Sequence, residues 1–77
     1  MKILIGSDKD GVHLKETLKK YLSNQGYEVI DKTPETDLDF VESTTRVVKA
    51  LLNHEGDRGI LIDKYGAGSF IVANKFK

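Results

Sequence analysis

Gly59-Ile60-Leu61-Ile62 runs directly into Asp63-Lys64-Tyr65-Gly66-Ala67-Gly68-Ser69, and the join between the two decides how the chain is read. A short apolar run bounded by polar residues suits a buried strand. The two glycines beyond it, leading into Phe70-Ile71, suit a turn that exposes backbone N–H groups at the start of a helix. The same arrangement stands near the N-terminus, where Ile3-Leu4-Ile5 opens into Gly6-Ser7-Asp8-Lys9-Asp10-Gly11. Two such turns brought side by side would line one crevice.

The residues between these turns decide whether they meet. Lys2-Ile3-Leu4-Ile5 reads as a first strand. From about 10 to 25, Val12, Leu14, Leu18, Tyr21 and Leu22 recur at helical spacing, with Lys15, Glu16, Lys19 and Lys20 placed toward water. Asp8 or Asp10 can cap this helix, and Gly26 is a natural stop. Tyr27-Glu28-Val29-Ile30 is a second strand, followed by a polar loop over 31–39 that holds Pro34. Asp39 with Glu42 resembles a capping box, and Phe40, Val41, Thr44, Val48, Leu51 and Leu52 continue as an amphipathic helix ending at Asn53-His54-Glu55-Gly56. A last helix is expected from near Gly68, carrying Phe70, Ile71 and Ala73.

Strand and helix alternating three times imply parallel strands joined by crossovers, hence an α/β fold. Right-handed crossovers favour a three-layer α/β/α arrangement with the Rossmann-like strand order 2-1-3. In that order the first and third strands are neighbours, and ligands bind beyond their carboxyl ends, where the chain reverses direction. Residues 1–77 then form a single domain. Its third strand would be an open edge, which parallel sheets normally cover, so the expectation is the N-terminal half of a longer subunit or a chain that needs a partner.

Composition narrows the function classes. With 39% hydrophobic and 31% charged residues the chain reads as an ordinary soluble domain, and no apolar run reaches the roughly 20 residues of a membrane span. Twelve basic residues balance twelve acidic ones, so no basic stripe points to nucleic acid. The absence of cysteine excludes disulfides and thiol chemistry from this chain and suits the cytoplasm. His13 and His54 lack ligand-spaced partners, so no metal site is expected.

Each candidate residue has a plain structural reading beside the functional one. Gly66, Gly68 and Ser69 can offer amides to a phosphate or an oxyanion, or simply form a tight turn. The stretch lacks the third glycine of a dinucleotide fingerprint and the glycine-lysine pair of a P-loop. Asp8, Asp10 and Asp63 can converge as carboxylates, although Asp10 reads better as a helix cap. Lys9 and Lys64 can neutralise an anion or stay solvated, and Tyr65 can face a ligand or a partner. His13 reads as a surface residue of the first helix turn, His54 as a helix-end residue.

Taken together, Gly6-Ser7-Asp8-Lys9-Asp10-Gly11, Lys15-Glu16, Gly26-Tyr27-Glu28-Val29-Ile30-Asp31, Arg58-Gly59-Ile60-Leu61-Ile62 and Gly66-Ala67-Gly68-Ser69 with Ala73-Asn74-Lys75 resemble the sugar-phosphate isomerase family. That family holds ribose-5-phosphate isomerase B and the two subunits of galactose-6-phosphate isomerase. The resemblance spans the whole chain and only the N-terminal half of the family's usual length. It implies interconversion of aldose and ketose phosphates, here galactose 6-phosphate and tagatose 6-phosphate in lactose catabolism, through an enediolate and without a cofactor. Asp8, Lys9, Tyr65, Gly66, Gly68 and Ser69 would then bind substrate. Catalytic members carry a cysteine where this chain has Asp63, a histidine where it has Lys9, and a threonine at Tyr65. An aspartate is a feeble base for a carbon acid unless desolvation raises its pKa. The resemblance therefore implies a hetero-oligomer in which a cysteine-bearing B subunit supplies the base and this chain alone is inactive.

Two other classes compete. A phospho-accepting receiver domain also places aspartates after its first and third strands, and labelling of Asp63 by acetyl phosphate with magnesium would mark it. A non-catalytic assembly subunit would tolerate bulky residues at Gly66 and Gly68.

Overall fold

The computed structural model describes residues 1–64 and the backbone of residues 66–70. The order of elements is β1 (Lys2–Ser7), α1 (Val12–Asn24), β2 (Glu28–Asp31), α2 (Phe40–Leu52), β3 (Arg58–Asp63) and β4 (Gly66–Phe70). β1 pairs in parallel with β2 on one side and with β3 on the other, so the three strands take the expected order 2-1-3. Right-handed crossovers in that order lay α1 and α2 on opposite faces of the sheet.

β4 differs from expectation. The stretch from Gly68 that reads as the start of a helix continues instead as a strand antiparallel to β3, with Leu61 opposite Gly68 and Asp63 opposite Gly66. The open edge of β3 explains this, because its unpaired N–H and C=O groups template any extended neighbour. β3 is thus covered among the described residues, and the sheet order becomes 2-1-3-4. Ile71 and Ala73, placed by the sequence reading on that last helix, lie outside the described residues.

The face beneath α2 is a dry apolar layer. Leu4, Val47, Ala50 and Leu51 are buried together, with Ile30 and Leu61 packed against them. Gly6 and Gly56 allow this close approach, since a Cβ would lie 2.7 Å from Val47 Cγ2 at Gly6 and 2.6 Å from Leu4 Cγ at Gly56. Asp39 caps α2 as its spacing with Glu42 suggests, accepting from the Glu42 N–H at 2.7 Å.

α1 is built differently. Leu14 and Tyr21, expected on its inward stripe, stand exposed, while Lys15, expected in water, is buried at 1% exposure. Lys15 turns inward because the carboxylate of Asp31 and the carbonyl of Thr33 wait beneath it. No side chain caps this helix. Asp10 therefore does not act as the expected cap. Its C-terminus closes as predicted at Gly26, which takes φ +92° while its N–H reaches Ser23 O and that of Tyr27 reaches Leu22 O.

Candidate functional site

The carboxyl ends of β1 and β3 do meet. Ser7 stands opposite Ile62, and the Asp8 N–H donates to Ile62 O at 3.2 Å. The turn after β1 then folds tightly over this junction. Asp8 Oδ1 accepts from the Asp10 and Gly11 N–H groups, both at 3.0 Å, so the carboxylate braces its own turn. At Gly11 a Cβ would sit 2.7 Å from Ile62 O, too near a backbone atom for any side chain. Glycine is required there by contact with β3.

The loop over 31–39 forms a third wall. The Lys32 N–H reaches Ile5 O at 2.9 Å, and the Lys9 N–H reaches Leu38 O at 2.8 Å. Fully buried Thr33 accepts the Ser7 N–H on Oγ1 at 2.9 Å. Arg46 of α2 holds the outer part of the loop, pairing with Glu35 at 2.7 Å and Glu42 at 3.2 Å. The Arg46 hydrogen bond holds the Glu35 carboxyl below its usual pKa.

Beneath the loop lies a cluster of charges. Lys19 Nζ lies 2.9 Å and Lys15 Nζ 3.1 Å from Asp31 Oδ2, while Asp31 Oδ1 accepts the Thr33 N–H at 2.9 Å. Burial alone would push the Asp31 carboxyl up, but the hydrogen bonds from Lys19, the Thr33 amide and Lys15 outweigh it and lower its pKa. The Lys19 ammonium is raised, chiefly by its hydrogen bond to Asp31 and against the opposing pull of burial.

The residues singled out in the sequence fall as follows. Asp8 is buried in the junction, Lys9 is exposed at its rim, Asp63 is half-buried at the end of β3, and Lys64 is exposed just beyond. Tyr65 lies outside the described residues. Gly66, Gly68 and Ser69 belong to β4, whose backbone faces alternate, so the amides of Gly68 and Ser69 point to opposite edges of the strand. His13 is an exposed residue of the first turn of α1, and His54 lies beyond α2 at the far end of the sheet. Among the described residues no three His, Asp or Glu side chains gather as a metal site, so Asp8, Asp10 and Asp63 do not form one carboxylate cluster. Nor is any described helix long and apolar enough to cross a membrane.

Thr33 and the Lys15–Asp31 pair escape the sequence reading. One signal was present, because Gly11, Lys15, Leu18 and Leu22 fall on a single i, i+4, i+7, i+11 stripe. A lysine on an inward stripe asks for a buried partner.

Against known proteins, a family model described as ribose/galactose isomerase matches residues 3–77. A galactose-6-phosphate isomerase subunit LacA from Clostridium acetobutylicum is 56% identical over all of this chain, and one from Staphylococcus epidermidis is 54% identical. The chain spans about half the length of these curated relatives, 54% in each case. Among solved structures, ribose-5-phosphate isomerase B from Clostridium thermocellum superposes with a TM-score of 0.75 at 42% identity, over 82% of this chain and 44% of that one. The Thermotoga maritima ribose 5-phosphate isomerase gives 0.73 at 40% identity, over 79% and 43%.

Proposed function

The chain belongs to the ribose/galactose isomerase family, and from that premise we propose that it is the N-terminal half of a subunit of an aldose–ketose isomerase interconverting galactose 6-phosphate and tagatose 6-phosphate. The observation that carries this reading is the junction of Asp8 with Ile62. It sets the turn after β1 against the end of β3, at the point of the sheet where α/β folds hold their ligands. The 56% identity to a galactose-6-phosphate isomerase subunit over the whole chain supports the six-carbon sugar.

The reaction moves a proton between adjacent carbons through an enediolate, which requires a base and donors to the two oxygens. In this reading Asp8, held by its own turn, accepts a sugar hydroxyl. Lys9, Tyr65 and the backbone of Gly66 meet the phosphate or the enediolate oxygens, whereas Gly68 and Ser69, expected to join them, lie farther along β4 opposite Leu61 and Ile60. Asp63 stands where the family's cysteine base belongs, so the base comes from a cysteine-bearing B subunit across an interface. The enzyme would act in lactose catabolism in the cytoplasm.

The test is an isomerisation assay of the full-length subunit that carries this chain, of the B subunit alone and of the two together. Turnover of tagatose 6-phosphate only in the mixture is expected. Turnover by that subunit alone at an enzymic rate would place the base within it, and an inactive mixture would sink the reading.

A further inference from the structure

Lys15 is costly where it stands. Its side chain is fully enclosed, and an ammonium taken out of water must be met by acceptors on all sides. Its Nζ donates to the Thr33 carbonyl at 2.6 Å and pairs with Asp31 at 3.1 Å. Asp31 is in turn tied to the Thr33 N–H, so residues 31–33 wrap around one buried charge. Buried pairs of this kind rarely repay their desolvation, and apolar residues of similar volume in their place are often neutral or stabilising. Stability therefore does not explain the lysine.

Thr33 passes the constraint onward. Its carbonyl is fixed by Lys15, and its hydroxyl accepts the Ser7 N–H at 2.9 Å. The Ser7 hydroxyl itself is buried and makes no hydrogen bond among the described residues, so the amide provides Ser7's polar tie to this segment. The next residue is Asp8, whose carboxylate orientation is set by the turn that begins there. A path of hydrogen bonds thus runs from the helix charge to Ser7, next to the Asp8 turn.

Resting on the isomerase reading above, we propose that Lys15 is a positioning residue for the sugar-phosphate site. It fixes Thr33, which fixes the Ser7 amide, which sets the angle at which Asp8 meets the sugar. Lys15 itself does not touch the ligand. Sub-ångström placement matters at such a site, where a displacement of about 1 Å can cost about a hundredfold in rate.

The test uses Lys15→Met and Thr33→Val in the assembled enzyme. Lys15→Met keeps the volume and leaves Asp31 paired with Lys19. Its melting temperature should stay within a few degrees of the parent or rise, while kcat/KM for tagatose 6-phosphate falls about ten- to a hundredfold. Hydrogen exchange at the Ser7 amide should quicken in parallel. Thr33→Val should reproduce both losses, and the double variant should be little worse than either single one, because both break one path. Unchanged kcat/KM with unchanged Ser7 exchange would overturn the proposal. So would activity that falls only in step with melting temperature, since that marks a purely structural lysine. If Lys15→Met does not fold, Thr33→Val alone decides. If the parent enzyme turns over no sugar phosphate, the isomerase reading fails, and Ser7 exchange in Lys15→Met then decides whether the lysine sets the turn.

Discussion

The two helices cover the same sheet with opposite chemistry. α2 buries Val47, Ala50 and Leu51 against Leu4 and is capped by Asp39. α1 buries only Lys15, has no side-chain cap, and leaves Leu14 37% and Tyr21 58% exposed. Apolar contact is strong and non-directional, whereas a buried ammonium is weak in net stability but demanding in geometry. Both sheet faces bury apolar side chains, Ile3, Ile5 and Ile62 lying outside the α2 cluster, but α2 adds apolar contact of its own whereas α1 adds a buried charge that fixes where the turn after β1 sits.

If this division is right, truncations on the two faces must differ most of all. Leu51→Ala removes a fully enclosed side chain and should cost about 3 kcal/mol, within the 2–5 usual for such sites. Leu14→Ala, partly in water already, should cost less than about 1 kcal/mol. Urea midpoints of the two variants settle it, and equal losses would mean that α1 contributes apolar stability after all.

The helix ends give a smaller and more pointed contrast. Both close with the same pair of backbone hydrogen bonds, but α1 places Gly26 at the left-handed position and α2 places His54, at φ +60°. A side chain in that conformation costs roughly 1–2 kcal/mol. His54→Gly should therefore stabilise by about 1 kcal/mol and Gly26→Ala destabilise by about as much, since open space around Gly26 leaves backbone strain as the main penalty. At the N-termini, Asp39→Ala should cost about 1 kcal/mol and Asp10→Ala almost nothing, because α1 makes no side-chain cap hydrogen bond. Thermal melts of the four variants are the measurement.

What the sequence disclosed follows the same division. Three apolar runs, Gly26 and the Asp39–Glu42 spacing mark the strands, the first helix end and the second helix start, because periodicity and capping are local. The strand order follows from chain connectivity and handedness. The burial of Lys15 is not legible in the sequence, because hydropathy assigns lysine to water and its partners Asp31 and Thr33 both lie beyond the helix. Asp8 and Asp10 look alike as caps, yet neither caps α1, and only the packed turn gives the Asp8 carboxylate its partners. Gly66-Ala67-Gly68-Ser69-Phe70 has little strand propensity of its own, so its pairing is decided by the open edge of β3.

Acid should expose the weaker of the two faces. On the α1 side Asp31 and Glu16 both pair with Lys15 and Lys19, and Asp31 is the more enclosed; its pKa lies below 3.8 in the fold, because Lys19, the Thr33 amide and Lys15 outweigh its burial. A depressed carboxylate adds stability that is complete above its unfolded pKa and is lost as pH falls through the folded one. The loss therefore begins near pH 3.8 and deepens below it, where the unfolded chain takes up the proton first. Lys19 acts at the other end, since its raised pKa makes its contribution complete below 10.5 and lost only above that. Glu35 is also lowered, but it is exposed and its share is screened by salt. In high salt, Asp31→Asn should thus flatten the acid limb of a plot of unfolding midpoint against pH, whereas Leu51→Ala should shift that plot down without changing its shape. An acid limb that survives Asp31→Asn would show that this cluster of charges adds little to the α1 face, and would leave the direct hydrogen bond to the Thr33 carbonyl as the tie by which Lys15 acts.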